Sequence, residues 1–143
     1  MSSANLAAPS TPAWLDAFKA LPRDTPIQIL NLIRLRPLAD YPPDHPDHGK
    51  GSTGLDAYGA YRRTNAEVFA RMGLWRVWQG RPEIVMNWRP DERWDLAFIV
   101  EYPSTAALLA MIADPEYREH LKHRTAAVED SRQICLTPLD SNE

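Results

Sequence analysis

A chain of 143 residues is the size of one domain, long enough to bury a core without disulfides or a metal. Its 44% hydrophobic and 24% charged residues exclude a disordered chain, and 16 Lys and Arg against 19 Asp and Glu leave no basic field for nucleic-acid phosphates. The single cysteine, Cys135, excludes an intrachain disulfide; within Ile134-Cys135-Leu136 it reads as a small buried hydrophobe rather than a reactive thiol.

Met1 to Thr11 forms a small, polar start that lacks the basic and apolar regions of a secretory leader. No apolar run approaches the ~20 residues of a membrane span. A cytoplasmic protein without a membrane partner is the expectation. Thr11 and Pro12 are placed to cap and open a short helix through Trp14, Leu15, Phe18 and Leu21, stopped by Pro22.

Ile27 to Arg36 is rich in β-branched residues with little alternation, the pattern of a strand covered on both faces. Pro37 to Thr53 holds four prolines and two glycines, which predicts a long loop of the kind that often carries function. Ser52 or Thr53 then caps a helix over 55–72 ended by Gly73, with Tyr58, Tyr61, Asn65, Phe69 and Met72 on its inner face.

Leu74 to Gln79 alternates as a strand, Gly80 to Pro82 makes a bulge or turn, and Glu83 to Trp88 resumes extended structure. A further strand runs over 94–102. Ser104 caps the next helix, Asp114-Pro115 restarts it to about Asp130, and the last strand spans 132–136. After the first helix the order is β-α-β-β-α-β, an α+β ferredoxin-like plait. The expected division is an N-terminal tail and accessory helix over 1–26, the plait over 27–139 and a tail over 140–143. Helices cover one sheet face in this fold, yet three strands are apolar on both faces. A homodimer with a barrel-like interface answers that excess, unless the helix over 12–21 covers part of the face.

Glu101-Tyr102-Pro103-Ser104, Asp114-Pro115-Glu116-Tyr117 and Arg124 resemble the short motifs of the domain-of-unknown-function 1330 family, within the dimeric α/β-barrel superfamily. Asn31-Leu32-Ile33-Arg34-Leu35-Arg36, Trp78 to Glu83 and His123 to Ala127 are similar to a longer-looped subgroup. The resemblance covers about Ile27 to Leu139. It implies a dimer with a pocket between sheet and helices. The wider superfamily includes cofactor-free monooxygenases, isomerases, polyketide cyclases, haem-associated enzymes and binding proteins, so the resemblance carries a fold but no catalytic set.

Within the matching segment, His123 and Arg124 are the candidate catalytic pair, His123 moving a proton near pH 7. The competing reading has Arg124 paired with Glu83, Asp95 or Glu101 to fix the helix on the sheet. Asn31, Arg34, Tyr61, Trp94 and Asp95 are the candidate substrate contacts. Arg34 is to hold an anionic group, or else to form a structural ion pair with Glu101 or Asp95. The tryptophans with Tyr58, Tyr61 and Tyr102 suit an aromatic pocket wall, or equally core and interface.

The four histidines fall into two His-x-x-His pairs, His45/His48 and His120/His123, with Asp44 and Asp47 near the first. Without a cysteine cluster or a His-Glu-x-x-His motif, neither pair by itself establishes a metal site, and no cofactor is assigned. The function expected is therefore a cofactor-independent enzyme acting on a small aromatic or carboxylated metabolite. The alternative is a non-catalytic binding or structural dimer.

Overall fold

The computed structural model describes residues 12–142. The elements are α1 (Trp14–Lys19), β1 (Ile27–Leu35), α2 (Gly54–Met72), β2 (Trp75–Gly80), β3 (Leu96–Tyr102), α3 (Thr105–Ala113), α4 (Pro115–Ala127) and β4 (Val128–Leu136). The strands form one antiparallel sheet in the order β2-β3-β1-β4, the arrangement of a ferredoxin-like plait.

Local chemistry sets the helix ends. Thr53 and Asp56 form a reciprocal capping box at the start of α2, and Gly73, at φ 78°, closes it in the left-handed conformation. The Ser104 hydroxyl accepts from the Ala107 amide at the start of α3, and Asp114 accepts from the Tyr117 amide with Pro115 opening α4. Gly54 is required where α2 begins. Its amide donates to the Arg36 carbonyl, and a Cβ there would run into that same oxygen.

Burial alternates strictly along β1. Ile27, Ile29, Asn31, Ile33 and Leu35 are buried, while the residues between them are half-covered. The buried set, with Phe98 and Tyr102 of β3, faces the helices and joins Tyr58, Tyr61, Val68, Met111 and Tyr117 in the core. The other register carries Leu30, Leu32, Ile99, Ile134 and Leu136 to the opposite face, which no helix among the described residues covers. α1 lies on the helix side, where Trp14, Ala17, Phe18 and Leu21 border the internal cavity, so it does not cover that face.

Several boundaries differ from the sequence expectation. α4 ends at Ala127 rather than near Asp130, because the Ala126 and Ala127 carbonyls accept from Asp40 and Arg36 and β-branched Val128 pairs with Leu35. Glu83 to Trp88 forms no strand. The β2–β3 ladder ends at Gly80 opposite Ala97, Pro82 and Pro90 cannot donate, and Ile84, Met86 and Trp88 stand exposed. The irregularity in β2 lies between Arg76 and Trp78, upstream of Gly80. Cys135 is exposed rather than buried. α1 has Ala13 at its N-cap with no side-chain cap, and the Thr11 expected to cap it lies outside the described residues.

The loop over 37–53 is tied to the body. Ala39 donates to the Ser52 carbonyl across its base, Asp40 to Ala126 at the end of α4, and the Tyr41 ring is buried. No helix among the described residues is long and apolar enough to cross a membrane.

Candidate functional site

Between the sheet and the helices is a cavity of about 740 Å³, within the ~300–1,000 Å³ range of small-molecule sites. Its floor is the helix-facing register of the sheet, with Ile29, Asn31, Phe98, Val100 and Gln133. Its roof is the inner face of α2 and parts of α3 and α4, and α1 supplies Trp14 and Phe18 along one wall. Among the described residues its lining contains no histidine and no carboxylate.

Three arginines line this largely apolar space: Arg76 at its exposed edge, and Arg62 and Arg124 deeper in. Arg62 of α2 stacks over the rings of Tyr58 and Phe98, at 5.2 and 4.8 Å, and reaches Gln79 Oε1 at 3.3 Å. Burial lowers its pKa from the ordinary arginine value. Arg124 of α4 approaches the Tyr58 hydroxyl from the other side. One terminal nitrogen of each, the NH2 atom, is buried without a hydrogen-bond partner, and neither arginine forms an ion pair among the described residues. An unpartnered buried cation is costly, and a ligand carboxylate matches the planar fork of a guanidinium.

The other polar groups are largely occupied. Gln133 Nε2 donates to Asn31 Oδ1 at 3.0 Å, and Asn31 Nδ2 donates to the Ile29 carbonyl at 3.1 Å. The Tyr61 and Tyr117 hydroxyls share a hydrogen bond of 3.0 Å. Burial pushes the Tyr61 phenol well above its ordinary value and raises Tyr102 as well; at Tyr58 burial outweighs the opposing pull of Arg124 and Arg62. These phenols are protonated donors at neutral pH.

Of the residues singled out in the sequence, the cavity brings together Asn31, Tyr61 and Arg124, with Tyr58, Tyr102 and Trp75 of the aromatic set. Arg124 does not meet Glu83, Asp95 or Glu101. Arg34, Trp94, Asp95 and His123 lie outside the lining. Arg34 occupies the other register of β1 and pairs with Glu129 and Asp130, each at 3.1 Å, in place of Glu101 or Asp95. Its guanidinium, with that of Arg132, covers the Trp94 ring. Asp95 accepts from the Leu35 amide at 2.7 Å and pairs with Arg93, so it holds the end of β1 to the approach to β3.

His123 turns away from the cavity toward the 37–53 loop. Its Nδ1 lies 2.7 Å from the Tyr41 hydroxyl and 3.9 Å from Asp47 Oδ2. Burial and the neighbouring His45 lower its pKa against the pull of Asp47. His120 meets Asn65 Oδ1 at 3.1 Å. Arg62 is the site residue that sequence reasoning missed. Its signal was the spacing from Tyr58, one helical turn earlier on the inner face of α2.

Fold and cavity together define a ferredoxin-like plait with a pocket enclosed beneath its helices. The chain belongs to the DUF1330 family, a domain of unknown function, whose model matches residues 52–136. It is similar to the RPA0582 protein of unknown function from Rhodopseudomonas palustris, at 49% identity over 92% of this chain and 96% of that one, with a TM-score of 0.81. A methylated form of RPA0582 superposes with a TM-score of 0.83, at 49% identity over 94% and 96% of the two chains. A putative antibiotic biosynthesis monooxygenase from Bacteroides thetaiotaomicron shares the fold alone, at 20% identity over 81% and 91% and a TM-score of 0.51. No curated protein matches the chain.

Proposed function

We propose that the cavity is a binding site for a small aromatic carboxylate, held by Arg62 and Arg124 beneath aromatic walls, in a protein that works as a homodimer. The observation that carries the reading is that Arg62 and Arg124 line a largely apolar cavity without an ion pair among the described residues, each with one terminal nitrogen left without a hydrogen-bond partner. A carboxylate supplies the missing acceptor, and Tyr58, Phe69 and Phe98 supply ring contacts. Binding is favoured over proton-transfer catalysis because His123, the candidate base, faces the loop. Any chemistry on a bound substrate would rest on the two arginines stabilising developing negative charge, with phenols as donors.

The homodimer reading is supported by the sheet face that no helix among the described residues covers, where Leu30, Leu32, Ile99 and Leu136 share the face with Ile134, which is 50% exposed. A second copy placing the same face against it would bury that patch by two-fold symmetry.

A thermal-shift screen of aromatic acids against their neutral amides tests the binding reading, because a ligand of the folded state raises the melting temperature by mass action. Acids that stabilise where their amides do not support it. Amides that stabilise equally well would overturn it.

A further inference from the structure

We propose that His45, Asp47 and His123 form a site for a divalent transition-metal ion of the zinc class, built where the 37–53 loop docks on α4. It is separate from the cavity and independent of the reading above. Each residue offers one ligand atom, and these atoms all lie within 4.8 Å of one another. Asp47 Oδ2 is 4.0 Å from His45 Nδ1 and 3.9 Å from His123 Nδ1, and the two imidazole centroids are 5.4 Å apart.

The spacing favours an ion over a direct ion pair. At these separations a protonated imidazole makes no good hydrogen bond to the carboxylate. An ion bonded to each group at ~2.0–2.2 Å would set tetrahedral ligand atoms about 3.3 Å apart. Asp47 therefore closes by about 0.6–0.7 Å on each imidazole, and the widest separation in the cluster, at most 4.8 Å, by up to about 1.5 Å.

The surroundings hold the imidazoles in place. Tyr41 stacks on His45, with centroids 4.5 Å apart at 25°, and directs its hydroxyl at His123 Nδ1. The His45 amide donates to the Pro42 carbonyl, and His45 Nδ1 accepts from the Asp47 amide at 3.0 Å, so this nitrogen is unprotonated and an ion bound through it would take the lone pair over from that amide. His48 Nδ1 meets the Tyr41 carbonyl at 2.9 Å, which fixes the residue that braces both ligands. The side chains of His45 and His123 are 9% and 14% exposed. That cover limits competing water and leaves Asp47 as the open edge.

Two histidines and one carboxylate are a ligand set that zinc accepts, with a remaining position for water. The cations facing the site are Lys50, at 3.6 Å from Asp47, and Arg63 near His123, with the His120 imidazole beside them. They keep the affinity below that of thiolate sites.

The test uses the untagged full chain, stripped with a chelator and titrated with Zn²⁺ by calorimetry. Co²⁺ absorption reports the ligand set. One ion per chain is expected, with a higher melting temperature. Asp47→Asn, His45→Gln and His123→Gln should each weaken binding at least tenfold, while Asp44→Asn, in the same loop but outside the cluster, leaves it within about twofold. Asp47 lies at the open edge, so Asp47→Asn remains informative if a histidine variant fails to fold. Absence of binding in the wild-type chain, or undiminished binding in Asp47→Asn, overturns the proposal.

Discussion

Arg62 lies over Phe98 with its guanidinium carbon 4.8 Å from the ring centroid, so aromatic faces rather than a carboxylate hold this buried cation. The arrangement leaves hydrogen-bonding capacity unspent in the cavity. It separates what the residue contributes to folding from what it contributes to binding.

Replacing Arg62 with Met should therefore leave stability unchanged or raise it, since an unpartnered charge is exchanged for an apolar chain of similar reach. Urea unfolding checks this through the midpoint at constant slope. Carboxylate binding should fall in the same variant. A loss of more than about 2 kcal/mol of stability would show that the guanidinium is structurally satisfied.

Gly54→Ala should destabilise the chain by about 1–3 kcal/mol, the usual range for forcing extra volume into a packed site. The added methyl meets the Arg36 carbonyl, where the end of β1, the start of α2 and Ala127 of α4 converge. The urea midpoint reads the loss, and a neutral result would mean that this junction is looser than described.

Asp114 caps α4, and the Tyr117 amide, followed by Arg71, holds its carboxyl below the ordinary value of 3.8. A carboxyl with a lowered folded-state pKa stabilises fully above its unfolded value, and the contribution disappears as pH falls through the folded one. Asp114→Asn keeps the cap but not the charge. Its melting temperature should lie below wild type at pH 7, with the gap closing well below pH 3.8. A gap that persists in acid would assign the effect to shape instead of charge.

Ile134→Lys places a charge on the edge strand β4 within the apolar patch of the uncovered sheet face, which a dry two-fold interface cannot accept without a large desolvation cost. Sedimentation at micromolar concentration should show two chains for wild type and a 16.2 kDa species for the variant. A wild-type chain that sediments as a monomer would remove the dimer.

Much of this was legible beforehand because it is local. Thr53, Gly73, Ser104 and Asp114-Pro115 mark helix ends through bonds within a few residues, and they delimit two of the plait's helical segments closely. Asn31, Tyr61 and Arg124, singled out in the sequence, line the cavity. Arg34 was grouped with Asn31, although three residues along a strand reverse the face, so the two point to opposite sides of the sheet. His123 and Arg124 are adjacent on a helix, about 100° apart, and serve different neighbours. Which one meets the cavity depends on Tyr41 and Asp47 docking from a loop some eighty residues earlier, a contact that no local pattern encodes. Extended structure over 83–88 does not form for a related reason: the apolar residues there meet no partner strand among the described residues.

The central claim is that Arg62 and Arg124 hold a carboxylate, and matched calorimetry tests it most directly. An aromatic acid that stabilises the wild-type chain is titrated beside its primary amide, into wild type and into Arg124→Gln. The account expects the acid to bind wild type at least tenfold more tightly than the amide. It also expects Arg124→Gln to lose about 2 kcal/mol of that affinity, roughly thirtyfold in Kd. Equal affinities for acid and amide, or an undiminished affinity in Arg124→Gln, would contradict it.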